Sequence, residues 1–81
     1  MNIATVIRKF IIENFLFEDT GNLKEDTSFL ESGVMDSTGV LELVSFIEET
    51  FGIVVEDEDL VPENLDSIAR IARYIEKKQE N

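Results

Sequence analysis

At 81 residues the chain has room for one hydrophobic core, so a single domain over 1–81 is expected. Apolar residues make up 43% and charged residues 31%, a globular composition rather than a disordered one. Eighteen acidic against seven basic residues give a net charge of −11, which disfavours nucleic acid and anionic membrane and favours protein partners with basic patches.

The first segment reads as an amphipathic helix near 3–17. Ile3, Val6, Ile7, Phe10, Ile11 and Phe15 recur at steps of three and four, Leu16 and Phe17 extend the apolar end, and Gly21-Asn22 stops it. Arg8 and Lys9 sit beside Phe10 and Glu13 in a mixed stretch that does not read as a signal peptide, and no apolar run reaches the roughly 20 residues of a membrane span. A cytoplasmic monomer is the expectation. From about Glu18 to Asp36 the chain has no period and is rich in turn formers, with Phe29 and Leu30 as anchors. A loop that long in so small a domain usually has a function.

A second helix is expected over 37–51. Val40, Leu43, Val44, Ile47 and Phe51 mark its apolar stripe, Leu41 and Phe46 widen it, and Gly52 closes it. Glu42 and Glu49, seven apart, share the outer face, with Glu48 beside them. Ile53–Val55 favours β structure but is too short and isolated to build a sheet. The acidic stretch that follows, with Pro62, leaves room for a short third helix between about 57 and 65. The fourth runs near 67–79 from Asp66 or Ser67, through Ile68, Ile71, Ala72 and Ile75, with Lys77 and Lys78 at its negative end. The fold class is all-α: a four-helix bundle of three main helices, one short helix and a long first loop. Its expected core is Phe10, Phe15, Phe29, Leu43, Val44, Ile47, Phe51, Ile68, Ile71 and Ile75.

The chain has neither cysteine nor histidine, so it lacks disulfides, a Cys-based metal or redox site and the commonest general base. A calcium loop starting at Asp57 fails at its fifth position, Val61, and at its sixth, Pro62, where glycine is required. No metal site and no catalytic residue is expected, and the chain is read as a non-enzyme. Charge is also distributed unevenly. Thirteen carboxylates and no Lys or Arg lie between Glu25 and Asp66.

The remaining feature is a serine at the mouth of the second helix, in Gly33-Val34-Met35-Asp36-Ser37-Thr38-Gly39. Asp or Ser in that place is first of all a helix cap. Asp66-Ser67 shows how cheaply the dipeptide arises. Here Asp36-Ser37 is followed by Glu42-Leu43-Val44, Ile47-Glu48-Glu49, Phe51, Ile53, Val55 and Asp57, then Leu60-Val61-Pro62-Glu63-Asn64-Leu65 and Ser67-Ile68. Over roughly residues 3–78 that spaced set resembles the acyl carrier protein family, which includes aminoacyl and peptidyl carriers.

The resemblance implies 4′-phosphopantetheine, taken from coenzyme A by a holo-carrier synthase and attached to Ser37. The arm's thiol would carry acyl intermediates as thioesters. Asp36, Glu42, Glu48 and Glu49 would dock partner enzymes: an acyl- or aminoacyl-activating ligase, and acyltransferases or condensing enzymes with basic patches. Val34-Met35 before the aspartate, and Thr38-Gly39 after the serine, depart from the pattern of fatty-acid carriers. They point to a specialised acyl carrier in lipid, polyketide or related biosynthesis, with a stand-alone aminoacyl or peptidyl carrier as the alternative. A more distant alternative is a small acidic protein-interaction module, which explains the charge but not the spacing.

Overall fold

The computed structural model describes residues 2–16 and 23–80. Asn2 opens the first helix, its side-chain oxygen accepting from the Thr5 N–H at 3.4 Å. Helix α1 spans Ile3–Ile11 and passes directly into one π-helical turn, Ile12–Leu16. Phe17 and the Gly21-Asn22 stop lie outside the described residues.

The stretch expected to be loop contains a helical turn, α2, over Phe29–Ser32. Ser28 caps it, accepting from the Glu31 N–H at 3.1 Å, and Gly33 ends it at φ 77°, a left-handed conformation that favours glycine. Helix α3 spans Ser37–Phe51, the range expected from its periodicity and caps. Asp36 Oδ1 accepts from the Gly39 N–H at 2.9 Å, and the Gly52 N–H donates to the Glu48 carbonyl at 3.0 Å.

The expected third helix is two pieces: a 3-10 turn at Asp57–Asp59, and α4 at Pro62–Leu65. Pro62 cannot donate to a helix arriving from upstream, but it suits the first position of a new one. Helix α5 spans Ile68–Glu80, one residue later than expected at each end, with Ser67 Oγ accepting from the Arg70 N–H at 3.2 Å. The architecture is all-α: three long helices and short pieces between them, with no strand among the described residues.

Helix α1 and α4 both pack on α5. The centre is aliphatic: Ile7, Ile11, Leu43, Ile47, Ile71 and Ile75 are fully buried, with Phe29 and Ile68 beside them. Each such side chain contributes roughly 1.5–3 kcal/mol by leaving water. Phe10, Phe15 and Phe51, expected in the core, are only half-buried and pack against its edge. Phe10 instead stacks on Phe46, ring centroids 4.0 Å apart, and meets Phe15 edge-on at 6.0 Å. Leu23, Met35, Val44, Val55, Leu65 and Tyr74 complete the buried apolar set.

The long first loop is fastened to the start of α5. The Phe29 N–H donates to the Asp66 carbonyl at 2.9 Å, and the Ala69 N–H to the Glu25 carbonyl at 2.8 Å. Asp66 also accepts through its side chain, from the Ser28 hydroxyl and from the Leu30 N–H at 3.0 Å. On the other side of α4, the Tyr74 hydroxyl donates to Asp59 Oδ2 at 2.7 Å and Asn64 Nδ2 to the Asp59 carbonyl at 3.0 Å. Burial pushes the Tyr74 phenol well above its usual range, and the hydrogen bond to Asp59 adds to the effect.

Candidate functional site

Asp36 acts as the cap of α3, which places Ser37 at the first helical position with its side chain outside the capping geometry. Ser37 is exposed, and among the described residues its hydroxyl makes no hydrogen bond. The first-turn N–H groups of Ser37 and Thr38 have no acceptor within the helix, so the surroundings of Ser37 carry the positive end of the helix dipole. Ser67 is the opposite case. It is 4% exposed, and its hydroxyl oxygen is the cap of α5.

Two grooves meet at Ser37, with Leu30 between them. One, of about 330 Å³, is apolar, formed by Val40, Leu41, Leu60, Val61 and Leu65, with Asp66 at its edge. Leu41 is 56% exposed and Val61 39%, so this apolar surface continues onto the outside of the molecule. The second groove, of about 550 Å³, runs along Phe15, Gly33, Val34, Met35 and Asp36.

The floor of the second groove explains Gly39. A Cβ at position 39 would come within 2.9 Å of both Met35 Cβ and Phe15 Cε1. The π-helical turn carries Phe15, and the absence of a side chain at 39 admits its ring against the first turn of α3. Glycine there lowers helix propensity by up to ~1 kcal/mol relative to alanine. Packing at this junction offsets that cost.

Of the four carboxylates singled out in the sequence, Asp36, Glu42 and Glu49 are exposed. Glu48 is half-buried, and its Oε2 accepts from the Val55 N–H at 3.0 Å, pinning the chain that leaves α3. Sequence reasoning did not find the two grooves. Their signals were Leu41 outside the narrow stripe, Leu60-Val61 before the proline, and a glycine within the first turn of a helix. Among the described residues no group of three or more carboxylates converges on a point that could hold a metal ion. No described helix is long and apolar enough to cross a membrane.

Residues 9–75 match the family model of the phosphopantetheine attachment site. An acyl carrier protein of Bdellovibrio bacteriovorus is 35% identical, over 96% of each chain. The acyl carrier protein of Akkermansia muciniphila is 36% identical over 96% of this chain and 94% of its own, and that of Thermotoga maritima 34% identical over 86% and 84%. A solved chain from the crystal structure of an FAD-dependent dehydrogenase superposes with a TM-score of 0.75 at 26% identity, over 85% of this chain and 97% of that one.

Proposed function

The chain belongs to the acyl carrier protein family, phosphopantetheine-bearing carriers rather than catalysts, and on that premise we propose that Ser37 holds the arm and that the cargo is a specialised acyl group. The observation that carries the assignment is an exposed serine at the first position of α3, with its hydroxyl unused by the fold. A phosphodiester fits there. The free N–H groups of the first turn favour it, and the Asp36 carboxylate, which would repel it, is partly engaged by the Gly39 N–H.

In the loading step the Ser37 hydroxyl gives up its proton and Oγ bonds to the phosphorus of the phosphopantetheine half of coenzyme A. The pyrophosphate bond breaks and 3′,5′-ADP leaves. In this reading the proton acceptor is supplied by the holo-carrier synthase, the catalyst of the step. When bound, the arm supplies the thiol that the cysteine-free chain lacks, and so the means of holding an acyl group as a thioester. The apolar groove along Val40, Leu41, Leu60, Val61 and Leu65 begins at the same serine and suits a hydrocarbon cargo.

Asp36, Glu42 and Glu49 are the docking charges in this reading, and Glu48 contributes while holding Val55. Their partners are the synthase, an acyl-activating ligase, and acyltransferases or condensing enzymes with basic patches. Carboxylates on an exposed helix speed encounter more than they tighten it, which suits a carrier that must leave each enzyme in turn. The family match over 9–75 supports reading 1–81 as one carrier domain.

Incubation with coenzyme A, magnesium and a broad-specificity transferase is expected to add about 340 Da to the wild type and nothing to Ser37→Ala. Loading of Ser37→Ala would overturn the assignment. For cargo, the holo form is offered fatty acyl and aminoacyl donors in competition with their activating ligases. Acyl loading is expected. Loading by an amino-acid-activating ligase alone would replace the acyl reading with the aminoacyl one, and efficient use by a complete set of fatty-acid elongation enzymes would remove the specialised role.

A further inference from the structure

The groove on the Phe15 side of Ser37 has no part in the reading above. We infer that it is the resting site of the proximal, pantoyl part of the arm, an inference that rests on Ser37 being the attachment residue. The arm's chemistry selects between the two grooves. Immediately beyond its phosphate come a methylene, a quaternary carbon bearing two methyl groups, a secondary hydroxyl and an amide. That portion needs apolar surface close to the attachment point and a hydrogen-bond acceptor next to it. A site of this kind is mostly apolar with a few placed polar groups.

The Phe15 groove supplies both. Phe15, Val34 and Met35 are its apolar surface, and Asp36 stands on its rim beside Ser37. Asp36 Oδ1 is taken by the Gly39 N–H, which leaves Oδ2 to accept from the pantoyl hydroxyl. The other groove is mostly hydrocarbon, and Asp66, the carboxylate that lines it, already accepts from the Ser28 hydroxyl and the Leu30 N–H. It offers the pantoyl hydroxyl and amide little, and a hydrocarbon cargo much.

The Phe15 groove is also built rather than incidental. Its floor exists because position 39 lacks a Cβ and a π-helical turn delivers the ring to that gap. Phe10, stacked on Phe46, holds the ring edge-on from the other side. Met35 is 6% exposed, so it forms part of the floor and is not free to swing away. Val34 and Met35, two of the departures from the fatty-acid carrier pattern, line this groove, and Gly39, another, makes room for the Phe15 ring beside it. In the free holo carrier the arm lies over Phe15 and Met35, and the Leu41–Val61 surface stays open to cargo and partners.

The test is proton NMR on the fully loaded protein, with the arm isotopically labelled and loading at Ser37 verified by mass. Nuclear Overhauser contacts are expected from the two arm methyls to the Phe15 ring, the Met35 methyl and the Val34 methyls. In Val34→Asn, and separately in Phe15→Leu, these contacts should fade and the apo-to-holo shift changes at Met35 should collapse, while loading remains complete. The two variants approach the groove from different elements, so a folding defect in one leaves the other to decide. A loaded protein whose arm methyls contact only Leu41, Val61 and Leu65, or contact nothing, would overturn the inference while leaving the attachment reading intact. An arm mapped to another residue would overturn both.

Discussion

Asp-Ser occurs at the start of α3 and again at the start of α5, and the two copies are used in opposite ways. At α3 the aspartate is the cap, so the serine becomes an exposed first residue with an idle hydroxyl. At α5 the serine is the cap and is buried, and the aspartate reaches back to fasten Ser28 and Leu30. The third residues after the aspartates differ in the same spirit. The Gly39 N–H bonds to its own cap, whereas the Ala69 N–H bonds to Glu25 in the distant loop. One start is kept open for chemistry and the other holds the fold together. Which residue of the pair caps the helix decides which serine is available.

The largest stability effect expected from this contrast is at Asp66. Asp66→Ala removes two charge-assisted hydrogen bonds and leaves the cap of α2 without support, a loss of about 2–3 kcal/mol in a urea melt. Asp36→Ala, which removes a single cap bond, should cost about 1 kcal/mol. Equal costs at the two aspartates would break the comparison.

Gly39→Ala comes next. Alanine raises helix propensity by up to ~1 kcal/mol, but Met35 Cβ lies too close to the backbone to move aside cheaply, and overpacking costs about 1–3 kcal/mol. A net destabilisation of about 1 kcal/mol is expected, and a more stable variant would mean that the Phe15–Met35 junction yields freely. At the serines the order reverses with function. Ser67→Ala should lose about 1 kcal/mol with its cap, and Ser37→Ala should stay within about 0.5 kcal/mol of wild type.

The last effect is read by titrating into alkali. Tyr74 is neutral in the fold and its phenol is raised by burial and by Asp59, so its contribution is complete below the unfolded value near 10 and is lost as pH climbs beyond it. Tyr74→Phe should be less stable than wild type at pH 7 but lose less stability between about pH 10 and 12. Parallel decline of the two proteins in that window would show that Tyr74 does not carry the alkaline sensitivity.

The sequence was informative wherever the determinant is local. Helix α3 was legible to the residue because Asp36, the apolar stripe and Gly52 all lie within it. Helix α2 carried a signal in Ser28 and Glu31, a capping pair three apart closed by Gly33, but one turn is too short for a period to reveal. The aromatic residues were misjudged for a related reason. A 3.6-residue stripe takes Phe10 and Phe15 into the core, whereas the π-helical turn carries Phe15 to the start of α3 instead. Contacts made across the chain left no pattern to read. Asp66 to Ser28, Tyr74 to Asp59 and the two grooves at Ser37 exist only once the helices have packed.

The central claim is that the exposed serine behind a capping aspartate, and not the buried serine that is itself a cap, receives the arm. Its most direct test is fragmentation mass spectrometry of the wild-type protein after exhaustive loading, reading which peptide carries the added mass. The account predicts one arm per chain, all of it on Ser37, with Ser67→Ala loading as completely as the wild type. An arm found on Ser67, or a second equivalent on any other residue, would contradict it.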